Sequence, residues 1–191
     1  MLQLLCRSAV LLVLCCYAIA VTPSQNAAPP APKTPADGYT IHVSAPHVMD
    51  GHVGGPYHHY CKVIQPEPVQ IVCLIYDSTD ANAPLSQVEY IQAKSLTRNN
   101  VSRDDWNKLW HDHTQEIATG RVQVHDLPDD QAKQVADLVS TTDGIIFGFE
   151  LGPKNIPTGR MMRGQSVGHR PLTEAEFRAS QTPGTKPAGN K

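Results

Sequence analysis

The sequence predicts an α+β fold, a single compact domain of mostly antiparallel sheet with two or three short helices. Three observations carry this. Tyr57 to Ser78 reads as two strand-like runs folded about a proline pair. Two later stretches begin with helix-capping chemistry and continue with helical spacing of apolar residues, and Gly144 to Leu151 is a further apolar strand.

The chain opens with the parts of an export signal: Arg7, an apolar run from Ala9 to Val21, and the small-residue pattern Ala18-Ile19-Ala20. A span of the bilayer takes about 20 apolar residues, so residues 1–20 are expected to be cleaved and the mature chain to hold no transmembrane helix. The expected location is exported, periplasmic or secreted, with lipid attachment through Cys15 or Cys16 as the alternative. Residues 21–37 are dominated by Pro and Ala and read as a linker. The folded domain is expected over 38–165 and a flexible tail over 166–191. About 130 residues suffice to bury one core. A net charge of -2, with Lys and Arg scattered, leaves no electrostatic footprint for nucleic acid.

The first expected strand is Tyr39 to Val43, by alternation. Ala45 to His59 reads as a loop, because Gly51, Gly54, Gly55 and Pro56 argue against regular structure, and His47, His52, His58 and His59 accumulate in it. The hairpin follows. Its runs, His58 to Gln65 and Val69 to Tyr76, are separated by Pro66-Glu67-Pro68, and a turn centred on Glu67 sets Cys61 opposite Cys73. Opposed β-carbons stand about 4.5–5.5 Å apart, so a disulfide between them needs only local adjustment. Two buried free thiols are the alternative. Cleavage of the signal would remove the other cysteines, leaving an even pair in an oxidising compartment.

Asp77 to Pro84 is turn chemistry. Leu85 to Lys94 then gives a strand with Val88 and Tyr90 on one face and Glu89 and Ile91 on the other. A helix is marked by Ser102 as cap, Asp105 three residues on, and Trp106, Leu109 and Trp110 as its apolar stripe. Directly after it stands the sharpest chemical signal, Trp110-His111-Asp112-His113. On a strand, His111 and His113 project from one face about 6.6 Å apart, near enough to converge on a single ion. On a helix they would diverge. Gly120 to His125 is a short strand, Pro128 to Val139 a second helix, and Gly144 to Leu151 the last core strand. Gly164-Gln165-Ser166-Val167-Gly168 fits a nucleophile-elbow pattern, but no acid followed by a histidine comes after it as a hydrolase requires.

The candidate metal ligands are His111 and His113 with His58 or His59 and Glu89, a mixed imidazole and carboxylate set suited to one divalent transition metal. The plain alternative is a set of hydrogen-bonded polar residues at the core edge.

Several blocks now fall in order: HHYCK at His58 to Lys62, C-x-x-Y-D-S from Cys73 to Ser78, VEYI at Val88 to Ile91, and LWHDH at Leu109 to His113 with Glu116 and Gly120 beyond. Their order and spacing resemble the oil body-associated protein family, a domain of unknown function with plant members on lipid droplets. The resemblance runs from His42 to Gln165 and includes Pro157-Thr158-Gly159 and Met161-Met162. It implies a mixed α and β domain and marks His58, His59, Glu89, His111 and His113 as the positions that matter. This chain departs from the plant members in its export signal and proline linker. It also has Phe147-Gly148 where the family's last core strand carries an aromatic residue and a histidine. The leading expectation is an exported domain with a binding or structural role. The alternatives are a metal-binding protein or metal-dependent enzyme, and a lipid-surface protein by family analogy alone.

Overall fold

The computed structural model describes residues 34–182. The expected export signal, residues 21–33 of the linker and residues 183–191 of the tail lie outside the described residues. Eight strands are β1 (Ile41–Met49), β2 (His52–Pro66), β3 (Val69–Tyr76), β4 (Leu85–Ala93), β5 (Trp110–Asp112), β6 (Gln123–His125), β7 (Thr142–Leu151) and β8 (Pro157–Ser166). Between and after them lie α1 (Lys94–Asn100), α2 (Arg103–Leu109), α3 (His113–Ala118), α4 (Asp129–Ser140) and α5 (Glu174–Ala179). This is an α+β domain built on an antiparallel sheet, as the sequence predicts.

The sheet runs in the order β2-β3-β4-β7-β8-β1-β6, and β2 also pairs with β1, so six of its strands close into a barrel. Closure leaves β8 short of both neighbours. It pairs with β7 from Ile146 onward and with β1 only at His47 to Met49. The two gaps are filled by β5, which pairs with Asp143 to Ile145, and by β6, which pairs with His42 to Ser44.

Period-2 alternation decides what faces inward. On β3, Val69, Ile71, Cys73 and Ile75 are buried while Gln70, Val72, Leu74 and Tyr76 are only half-buried, so this strand is covered fully on one side rather than both. Together with Val43, Cys61, Ile91 and Ala93 these side chains form the core, each large one contributing about 1.5–3 kcal/mol of burial. Cys61 and Cys73 are register partners and are joined by a disulfide, their Cα atoms 4.0 Å apart.

Three expectations need correction. Ala45 to His59 is a hairpin, not a loop: Met49 pairs with His52 around Asp50 (φ 49) and Gly51 (φ 81). Left-handed geometry at both central residues is what a two-residue turn needs to match the twist of its strands, and Asp-Gly supplies it. Gly55 (φ 98) sits near a bulge between Ala45 and His47, so the strand passes through the Gly-Pro pair.

The segment from Ser166 to 182, expected as flexible tail, carries α5. Thr173 and Glu176 form its capping box, and Phe177 is buried against Trp106. Finally, Trp106 alone of its stripe is fully buried; Trp110 belongs to β5 and is half-buried.

Candidate metal centre

Strand alternation brings four histidines to one end of the barrel interior. His47 is an inward residue of β1, two before Met49 at its end, and His59 is the inward residue of β2 between Tyr57 and Cys61. Glu89 lies between them and β7, on the inner face of β4. His111 is the middle residue of β5, paired with Gly144, and His113 is the first residue of α3. Asp112 makes that change of course possible by capping α3, accepting from the backbone N–H of Thr114 at 2.8 Å. One helical turn later, Glu116 rejoins the cluster.

All six side chains are buried, none more than 3 % exposed. The Glu89 carboxylate is their centre. Its Oε1 lies 3.1 Å from His111 Nε2 and 3.2 Å from His113 Nε2, and its Oε2 lies 3.6 Å from His59 Nε2. Glu116 Oε2 stands 3.7 Å and 3.9 Å from the same atoms of His111 and His113. His47 Nε2 is 3.1 Å from His59 Nε2.

The outer nitrogens of three rings are fixed by acceptors. His47 Nδ1 donates to Gln87 Oε1 at 2.8 Å and His59 Nδ1 to the Tyr57 carbonyl at 3.1 Å. His113 Nδ1 donates to Thr142 Oγ1 at 2.9 Å, because that hydroxyl spends its own proton on the Val139 carbonyl. Such bonds hold the rings with Nε2 toward the centre, as in the outer shells of metal sites. His111 Nδ1 is buried without a partner.

Burial, with the neighbouring charge of His59, pushes the His47 imidazole down to about 3, and burial lowers His59 as well. Burial also works against a charge on Glu89, yet hydrogen bonds from His111 and His113 outweigh it and hold this carboxyl well below the ordinary range. His113 moves the other way: burial opposes its charge, but Glu89 and Glu116 raise it. Burial raises Glu116.

Room for the cluster depends on Gly144, where any side chain would meet Glu89 and His111. Beside the cluster is a cavity of about 50 Å³ walled by Val43, Ile71, Ile91, Val124 and Val139 and roofed by α3 and α4.

Of the sequence-predicted residues, the structure brings His59, Glu89, His111 and His113 together and sends His58 elsewhere. His58 follows the opposite parity on β2, faces outward, and contacts His42 at 3.0 Å; it is corrected out of this cluster. The cluster also holds His47 and Glu116, which are not among the sequence-predicted ligands. The spacing His113-x-x-Glu116, one helical turn, and the inward parity of His47 with Val43 and Ala45 were the available signals. Ser166 ends β8 buried, followed by a turn rather than a helix, so the nucleophile-elbow pattern has no elbow.

A family model described as "Protein of unknown function (DUF1264)" matches residues 33–160, which include all six side chains of the cluster. Oil body-associated protein 1B of Arabidopsis thaliana is 35% identical over 129 residues, 63% of this chain and 52% of that protein. Oil body-associated protein 2C of the same plant is 31% identical over 117 residues, 58% of this chain and 47% of that protein. The chain thus spans about half the length of the curated relatives it matches. No solved structure matches it.

Proposed function

The chain belongs to the DUF1264 family, proteins of unknown function, and from that premise we propose that it is a metal-binding protein. One divalent transition-metal ion is held inside the barrel at Glu89, which groups with His47 and His59 on one side and with His111 and His113 on the other.

The observation that carries this reading is the 3.1 Å approach of His47 Nε2 to His59 Nε2. Both rings commit their Nδ1 protons to oxygen acceptors, so in the neutral state two lone pairs face each other. A cation between them removes that repulsion. Burial disfavours a proton in this role, and a metal ion, for which neutral imidazole and carboxylate are the ordinary ligands, fits it.

A second observation favours a metal-dependent enzyme within the same reading. Glu116 stands at the edge of the ligand set with its carboxyl pushed upward, next to an apolar cavity. A bound ion would supply Lewis acidity there. Glu116 is placed to hold or accept a proton, and the apolar walls would exclude bulk water.

The expected export signal and linker give this domain an exported, oxidising location, with which the Cys61–Cys73 disulfide is consistent.

Elemental analysis of the full chain, grown metal-replete and dialysed, tests the proposal. One tightly held equivalent is expected, absent from Glu89→Gln and His111→Ala proteins that keep their circular dichroism. Folded wild-type protein that carries no metal and takes up none on titration overturns it.

A further inference from the structure

All nine histidines of the chain lie in the described residues, and seven of them fall into three candidate ligand groups, two of which share Glu89. Four are in the inner cluster. The remaining three, His42, His58 and His125, meet on the outer face of the barrel.

We propose that His42, His58 and His125, supported by Asp126, form a second transition-metal site on the outer face of β1, β2 and β6. One ring nitrogen from each histidine lies within 4.8 Å of the other two. The register explains the meeting. His125 on β6 is paired with His42 on β1, and His58 on β2 is paired with Ser44, the next outward residue of β1. Three adjacent strands therefore present their imidazoles to one patch, with ring centroids 4.5 Å apart for His42 and His125 and 5.3 Å for His42 and His58.

The supporting contacts are those of a ligand shell. His42 Nδ1 donates to Asp126 Oδ2 at 2.8 Å, which fixes its tautomer and leaves Nε2 as a lone pair, 3.0 Å from His58 Nδ1. Carboxylate-bound imidazoles of this kind are the usual metal ligands. The His42 ring is further held by stacking on Tyr60, centroids 4.7 Å apart at 11°. His125 Nε2 contacts Ser44 Oγ at 2.8 Å.

The two sites differ in kind. The inner one is sealed and has two carboxylates. In the outer one His42 is 11% exposed at its side chain but Asp126 is 80% exposed, and His58 and His125 are half-buried. An ion here has water on its open side and nitrogen ligands on the other, a set that selects Cu²⁺, Ni²⁺ or Zn²⁺ over Mg²⁺ or Ca²⁺. It would exchange readily with solvent. This inference does not rest on the inner centre being filled.

Chelator-stripped full chain, titrated with Cu²⁺ and followed by calorimetry and electron paramagnetic resonance, separates the two. His111→Ala protein should still bind one equivalent, with nitrogen hyperfine structure from imidazole. In His111→Ala combined with His58→Ala or His125→Ala, that equivalent should weaken at least about 10-fold. His125 lies on a three-residue edge strand, so its loss should leave the fold intact. Should a variant unfold, imidazole nitrogen NMR of the wild type with Zn²⁺ reads the same site, with shifts expected at His58 and His125. Unchanged Cu²⁺ affinity and spectrum in the folded variants, no binding by His111→Ala, or no shift at those two rings overturns the proposal. Loss of the inner equivalent alone bears only on the inner reading.

Discussion

Gly144 lies directly beneath the Glu89 carboxylate: a β-carbon there would overlap Glu89 Oε1 and fall 2.6 Å from His111 Nε2. Both neighbours are buried and neither is the free end of a mobile chain, so neither can yield. Gly144→Ala should destabilise the protein by about 1–3 kcal/mol through overpacking. It should also weaken binding of the proposed ion, because the carboxylate must move away from His111 and His113. Urea unfolding and metal content measured on the same preparation check both effects.

Gln87 touches the centre only through His47, whose Nδ1 proton it accepts. Gln87→Leu keeps the volume and removes the acceptor. Metal affinity should fall about 10–100-fold without vanishing, the range seen when an outer-shell partner is lost. Competition with a chelator of known affinity reads this directly. The same change at Gln65, exposed at the far end of β2, should leave affinity unaltered.

Much of this was legible in the sequence, and the reason is periodicity. The inward parity of Glu89 and Ile91 against Val88 and Tyr90 follows from alternation, as does the pairing of Cys61 with Cys73 about the proline turn. The ambiguity between His58 and His59 had the same root. Adjacent residues on a strand face opposite ways, and only the register with β1 decides which way is in. His47 stayed hidden because the Gly and Pro residues after it read as loop, although Asp50-Gly51 is itself a hairpin signal. Strand β8, PTGRMMRGQS, has no alternation to read, being exposed along most of its length. Its place is fixed by β1 and β7, which no local pattern reveals.

Acid should destabilise the metal-free protein over a window set by His47. Its imidazole, pushed down to about 3 by burial and by His59, stays neutral in the folded state while the unfolded chain takes up a proton near 6.5. The unfolded state then binds more protons, so stability is complete above about 6.5 and falls as pH drops from there toward about 3. The slope is at most about 1.4 kcal/mol per pH unit for one site, and His59 adds in the same sense. His113, raised by the carboxylates, acts oppositely: its share is present below about 6.5 and is lost as pH rises through its folded value. Urea midpoints of chelator-treated protein at a series of pH values should show this fall, and His47→Gln should flatten it.

Asp143 is fully buried and accepts from Arg98 at 3.0 and 2.8 Å and from Trp106 Nε1 at 2.9 Å. Arg98 reaches on to Asp112 at 2.7 Å, so this carboxylate ties α1, α2 and β5 to the strand that carries Gly144. Asp143→Ala strands a buried guanidinium with one partner of two, and should cost about 3–5 kcal/mol, as for other broken buried pairs. Because β5 is only three residues long, its hold on β7 depends on this anchor, and His111 should lose its position with it. The double change Asp143→Leu with Arg98→Met separates the two effects. Replacing both charges by apolar groups should restore part of the stability, with Trp106 Nε1 left without its acceptor. If the anchor serves mainly to place His111, the double variant will fold yet bind the proposed ion more weakly than wild type by chelator competition. Full recovery of affinity would show that packing alone holds β5 in register.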